Sequence, residues 1–386
     1  MKYAHIDRIA GIPRQSFFLL GCRGTGKSTW LRAQFPRARW IDLLDEARYQ
    51  HYLADPSLFA AELRACEPGS WVVVDEIQRL PQLLNDAHRF MESSRLRFAL
   101  CGSSVRKLKR AGVNLLAGRA VRRVMHPFLA EEMGNQFDLE DALRHGLLPV
   151  VWASKSRAES LEAYALFYLQ EEIQAESLVR NLPSFARFLP VCALCHGQTT
   201  NLANIARDAG VARNTVESYM EILQDTLLVF PVTGYEARLR VKERKLPKWY
   251  WTDPGIVRAM KHQTGPLTME ERASLFEGLV AQTLRAYGDY RRHHDGMFYW
   301  ASGSPARQEV DFVLARGREL VAIEAKSGRT FQQKWCSGLR AMGELKAVRR
   351  RMLVYPAGPR LKTEDGIEAV SFQTFSQMLA ADTLWP

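Results

Sequence analysis

A chain of 386 residues, 47% hydrophobic and 25% charged, has the make-up of a folded globular protein with room for two or three domains. Its net charge of +11 suits a polyanionic partner, nucleic acid foremost. No apolar run reaches the roughly 18 residues of a membrane span, the first residues carry no apolar signal core, and the cysteines at 22, 66, 101, 192, 195 and 336 are too scattered for a disulfide framework; the expectation is a cytoplasmic protein with reduced thiols and no membrane partner.

Residues 1–135 alternate short apolar runs with helical segments, the pattern of a parallel α/β sheet. A strand over residues 16–20 leads into Gly21-Cys22-Arg23-Gly24-Thr25-Gly26-Lys27-Ser28-Thr29. This is the G-x-x-x-x-G-K-[ST] phosphate loop in its expected place between a strand and a helix. Gly21, Gly24 and Gly26 let the backbone wrap an anion, with Thr25 and Thr29 in the same turn. Lys27 is expected to reach the β- and γ-phosphates of ATP, Ser28 to ligate Mg²⁺, and the following helix to add its positive end.

Further strands are expected at residues 38–43 and 71–75, with a helix over 55–64 capped by Asp55 or Ser57. The run Trp71-Val72-Val73-Val74 ends in Asp75-Glu76. A strand end places Asp75 where it can hold the Mg²⁺ shell and Glu76 where it can polarise a water for attack on the γ-phosphate, so the doublet favours hydrolysis over mere binding. A strand at 97–100 ends at Cys101-Gly102-Ser103-Ser104, where Ser103 or Ser104 can sense the γ-phosphate. Arg119, after Leu116-Ala117-Gly118, is a candidate arginine finger for its own site or for that of a neighbour in a homo-oligomeric ring or dimer.

Gly21 to Ser28, Asp75-Glu76-Ile77-Gln78, Gly102-Ser103-Ser104 and Leu116-Ala117-Gly118-Arg119 before Pro127 and Glu131-Glu132 together resemble a family of bacterial and archaeal AAA-type P-loop ATPases with a characteristic C-terminal region. The resemblance implies an ATP-binding, Mg²⁺-dependent core.

Residues 136–236 are expected to form a helical lid and a winged helix. Apolar residues at helical spacing mark a helix over 158–179, and Arg180 or Arg187 could contact nucleotide from such a lid. Cys192-Ala193-Leu194-Cys195-His196 spells a c-type haem attachment pattern, but its apolar surroundings point to a packed helix. Residues 201–209, a turn at Gly210 and residues 211–223 carry a helix-turn-helix pattern, with residues 227–232 beginning a wing. In a DNA reader Arg213, Asn214 and Thr215 would open the recognition helix, and Arg238, Arg240 and Lys242 would line one face of a basic strand.

Residues 237–386 are expected to form an α/β domain. A strand at 308–314 carries Asp311, and a strand at 320–327 carries Glu324 and Lys326 on one face. Asp311 with Glu324-x-Lys326 resembles the core of the restriction-endonuclease-like fold. The likeness implies a second metal held by Asp311 and Glu324, a nucleophilic water oriented by Lys326, and a further carboxylate from Glu277. The leading expectation is therefore an AAA-type ATPase acting on DNA. The rivals are an ATP-regulated, metal-dependent DNA nuclease and a nucleotide-switched signalling ATPase that binds protein partners.

Overall fold

A computed structural model describes residues 6–103, 118–175, 181–236, 246–302 and 308–386. The chain forms two compact units, one of Arg8–His126 with Glu221–Leu228, the other of Met1–Asp7, Pro127–Met220 and Val229–Pro386.

The first unit is built on a five-stranded sheet of β1 (Phe17–Leu20), β2 (Arg39–Asp42), β3 (Trp71–Asp75), β4 (Arg97–Gly102) and β5 (Val121–Val124), in the order β2-β3-β4-β1-β5. Every pairing is parallel. Parallel strands with both faces covered are apolar on both, and here the period of two divides their side chains between two cores. Phe18, Leu20, Val72, Val74, Phe98 and Leu100 face one core, which includes Tyr52, Phe59, Leu63, Leu83, Leu84 and Phe90 from the helices Glu46–Ala54, Ser57–Arg64 and Leu83–Ser93. Phe17, Leu19, Val73, Ala99 and Cys101 face the other, which Trp30 and Leu31 of the helix Lys27–Gln34 complete. The order has one consequence for function: β4 lies between β1 and β3, so its tip stands between the phosphate loop and Asp75.

The second unit carries a nine-stranded mixed sheet. Its strands are β6 (Gln198–Thr199), β7 (Val229–Gly234), β8 (Lys248–Trp251), β9 (Gly296–Ala301), β10 (Glu309–Arg316), β11 (Glu319–Ala325), β12 (Val348–Tyr355), β13 (Leu361–Lys362) and β14 (Glu368–Ser371). They run in the order β13-β14-β12-β11-β10-β9-β7-β8-β6. β9, β10 and β11 are antiparallel neighbours, whereas β11, β12 and β14 are parallel. The helices Leu202–Ala209 and Arg213–Asp225 flank a turn at Gly210, which sits at φ +63°, a conformation glycine adopts freely. The strands that follow this helix pair, β7 and β8, run antiparallel beside each other, and β6 pairs with β8. β7 pairs with β8 on one side and with β9 on the other, so they extend the C-terminal sheet.

The helix Met269–Arg291 carries Glu277 and opens with a capping box, in which Thr268 Oγ1 accepts from the Glu271 N–H at 3.4 Å and the Glu271 carboxylate accepts from the Thr268 N–H at 2.9 Å. Glu271 also holds the buried Arg258 guanidinium at 3.0 Å. No helix among the described residues is long and apolar enough to cross a membrane.

Candidate functional site

The phosphate loop follows directly from β1. Gly24 and Gly26 sit at φ +81° and +82°, the region that turns successive N–H groups inward. A Cβ at position 21 would collide with the Met125 carbonyl, so glycine is required there by close backbone approach. Thr25 Oγ1 donates to the Cys22 carbonyl at 2.8 Å and fixes the loop. Lys27 is only 7% exposed, and its Nζ donates to the carbonyls of Gly21 at 2.7 Å and Cys22 at 3.2 Å. Ser28 is half-buried and Thr29 exposed on the first turn of the helix Lys27–Gln34.

Asp75 ends β3 and is 2% exposed. Its carboxylate accepts from the Glu76 N–H at 3.1 Å, and Glu76 adopts φ +55°, which is uncommon for a residue with a Cβ. Gln78 ties this edge together. Its amide nitrogen donates to the Glu76 carboxylate and, at 3.2 Å, to Ser103 Oγ at the tip of β4. A Cβ at position 102 would strike the Gln78 amide oxygen, so the glycine before Ser103 makes room for the bridge. Cys101, fully buried beside these acids, has its thiol pushed well above the usual range by burial and by the charge of Asp75.

Lys27, Asp75, Glu76, Gln78 and Ser103 therefore all lie at the carboxyl edge of one parallel sheet. Arg119 does not. It precedes β5, whose Val121 is in register with Phe17 at the start of β1, and so stands at the opposite edge, ion-paired with Glu92 at 2.6 Å. Four residues of strand, about 13 Å, separate the two edges. Arg119 therefore stands away from the loop of its own sheet. Arg187 donates to Ser184 Oγ at 3.2 Å, while Ser104 and Arg180 lie outside the described residues.

In the second unit, Asp311 meets Glu324, Glu324 meets Lys326, and Glu277 joins Asp311 through a shared lysine, the four residues that the endonuclease-like resemblance groups. Asp311 on β10 and Glu324 on β11 interlock through the backbone: the Asp311 N–H donates to Glu324 Oε2 at 3.2 Å, and the Ala325 N–H donates to Asp311 Oδ2 at 2.9 Å. Lys326 Nζ meets Glu324 Oε1 at 2.5 Å. A second lysine, absent from the sequence-based expectation, fills the middle. Lys248 Nζ lies 3.0 Å from Glu277 Oε1 and 3.2 Å from Asp311 Oδ1, and it also contacts the Glu309 carboxylate. Tyr250 donates to Glu277 Oε1 at 2.5 Å.

Burial, helped by Asp311, pushes Glu277 up to about 7, and Lys248 offsets part of that rise. Burial and Asp311 hold Glu324 well above the carboxylate range. Burial alone would lower both lysines, but the surrounding acids raise them instead. Among the described residues no group of three or more His, Cys, Asp or Glu side chains stands ready to hold a metal ion.

The strand that brings Lys248 is anchored by the haem-like motif. His196 Nδ1 accepts from the Trp251 N–H at 3.1 Å, and burial lowers this imidazole to about 3, which keeps it neutral. Cys192 is buried in the helix Leu182–Leu194, its Sγ 3.6 Å from Met220 Sδ. Of the residues expected to face DNA, Arg213 and Asn214 are exposed and Thr215 is half-buried, with Arg213 paired to Glu217 at 3.1 Å. Arg238, Arg240 and Lys242 lie outside the described residues. A local signal for Lys248 did exist: in Lys248-Trp249-Tyr250-Trp251 the period of two puts Lys248 on the face of Tyr250.

Family models match the chain in three consecutive stretches. Residues 13–134 match the AAA domain family, residues 136–267 a domain of unknown function (DUF8612), and residues 272–375 another (DUF4143). The chain is 25% identical over 326 residues to the uncharacterized proteins Rv2008c of Mycobacterium tuberculosis and Mb2031c of Mycobacterium bovis, covering 82% of this chain and 71% of each of theirs. Among solved structures, the Aeropyrum pernix ORC1 protein in complex with DNA aligns at 14% identity and TM-score 0.26, over 65% of this chain and 87% of that one. The replication initiator DnaA bound to AMPPCP and single-stranded DNA aligns at 14% identity and TM-score 0.27, over 54% and 82%.

Proposed function

Given an AAA-type domain in residues 13–134, we propose that this chain is a Mg²⁺-dependent ATPase whose turnover powers work on DNA. The observation that carries the reading is the convergence of Lys27, Asp75, Glu76 and Ser103 at one edge of one sheet, with β4 between the loop and the acids.

The loop from Gly21 to Thr29 would cradle the phosphates, with Lys27 exchanging its carbonyl partners for γ-phosphate oxygens. Ser28 Oγ and the Asp75 carboxylate are the hard oxygen donors that suit Mg²⁺, which when bound neutralises charge on the β- and γ-phosphates. Glu76 would take the proton of the attacking water, and Gln78 would hold that carboxylate toward Ser103, whose hydroxyl orients the same water. Arg119, far from its own loop, would serve the site of a neighbouring copy in a homo-oligomer.

Support for DNA as the partner comes from the net charge of +11 and from a helix pair that opens its second helix with exposed Arg213 and Asn214. The test is steady-state ATP turnover with and without single-stranded, duplex and branched DNA. Turnover that Lys27→Ala removes and that at least one DNA form stimulates is the expected result. Turnover indifferent to every DNA form, together with no DNA binding at low salt, would replace DNA with a protein partner. Absence of turnover altogether would remove the ATPase reading.

A further inference from the structure

The carboxylate cluster around Asp311 has the residues of a metal-dependent nuclease centre, yet its central position is filled by a side chain. Lys248 Nζ stands between Asp311 of β10 and Glu277 of the helix Met269–Arg291, with Glu309 on a third side. The other oxygens of Asp311 and Glu324 are also engaged. Asp311 Oδ2 accepts from the Ala325 N–H, Glu324 Oε2 accepts from the Asp311 N–H, and Glu324 Oε1 meets Lys326. A divalent ion would have to draw these oxygens in to about 2.0–2.6 Å, where the ammonium now sits.

Nor is Lys248 a swinging arm. Its residue is 3% exposed, and its ammonium lies 5.6 Å from the centre of the Tyr299 ring. Its strand is paired to β7 on one side and β6 on the other. The next turn of that strand is held by His196 through the Trp251 N–H. An ammonium withdrawn from this position would strip Glu277 and Asp311 of the cation in direct contact with them and would itself need new partners.

The residues present therefore do not fit a bound divalent metal. We propose that Lys248 is a built-in cation that permanently occupies the metal position of this centre, so that the second unit keeps a nuclease-like scaffold without metal-dependent cleavage. The proposal rests on reading Asp311, Glu324 and Lys326 as a nuclease-type centre.

The test is Mn²⁺ binding by electron paramagnetic resonance and thermal melting of the full chain, without nucleotide and without DNA, so a failure of the DNA reading leaves it untouched. Wild type, Asp311→Asn and Glu277→Gln are expected to give the same Mn²⁺ titration. Lys248→Met is expected to melt about 10 °C lower in chelator and to regain most of that loss in millimolar Mn²⁺, because the metal then takes the vacated place. A Mn²⁺ site in wild type that Asp311→Asn or Glu277→Gln removes overturns the proposal. So does a Lys248→Met protein that melts like wild type, or one that Mn²⁺ does not rescue. If Lys248→Met fails to fold, the wild-type titration against the two acid variants decides alone.

Discussion

Each unit buries a lysine, and the two lysines are held in opposite ways. Lys27 is bound by two neutral carbonyls of its own loop. Lys248 is bound by three carboxylates. Neutral acceptors give up an ammonium readily to an incoming phosphate, because the carbonyls can be satisfied by water or by loop N–H groups once it leaves. Carboxylates in a dry interior cannot do so without leaving buried charge behind. On the proposed reading the same residue type makes an exchangeable anion site in one place and a fixed ion cluster in the other, and the difference lies in the charge of its partners.

The comparison can be strained most strongly at Glu76. Glu76→Gln should lower ATP turnover by about 10²–10⁴-fold while leaving ATP binding intact, since only the proton acceptor is lost. Loss of ATP affinity in that variant would assign Glu76 to binding instead. Gln78→Ala should reduce turnover by about 10–100-fold at unchanged ATP affinity, the effect of a misdirected Glu76 carboxylate; Gln78→Glu, unable to donate to Glu76, should not restore it. A smaller effect concerns Arg119. If it serves a neighbour, Arg119→Ala and Lys27→Ala proteins, each inactive, should recover part of the turnover when mixed. Mixtures that stay inactive would leave Arg119 with only its Glu92 ion pair.

The smallest effect separates a buried acid that has a cation from one that has none. Asp253 caps the helix Pro254–Met260 and accepts from the Leu147 N–H at 2.6 Å. Burial raises its carboxyl from 3.8 to about 6, although backbone N–H groups pull the other way. With the folded value above the unfolded one, the folded chain binds more protons between them. Stability from this group therefore grows as pH falls from above 6 toward 4, by about 3 kcal/mol in all. Asp253→Asn should flatten that slope in melting curves taken across this range. An unchanged slope would assign the pH dependence to other acids.

How much of this was open to sequence reasoning depends on how far apart the residues lie. The phosphate loop and Asp75-Glu76 are contiguous strings whose chemistry demands their spacing, and the flanking apolar runs give the strand–loop–helix context. Asp311 and Glu324-x-Lys326 were legible for a similar reason, because a hairpin fixes their register. Gln78 was in plain view as part of a motif, but its bridge to Ser103 spans 25 residues and depends on β4 lying beside β3. Lys248 is 63 residues from Asp311 and reaches it only because β7 joins β9, which no local pattern foretells. The edge position of Arg119 could have been inferred from its place before a strand rather than after one.

The most direct measurement of the two-centre account is the number of Mn²⁺ ions bound per chain in the presence of a non-hydrolysable ATP analogue. One ion is predicted, lost in Asp75→Asn and untouched by Asp311→Asn. Two ions, or a count that falls when Asp311 is changed, would contradict it.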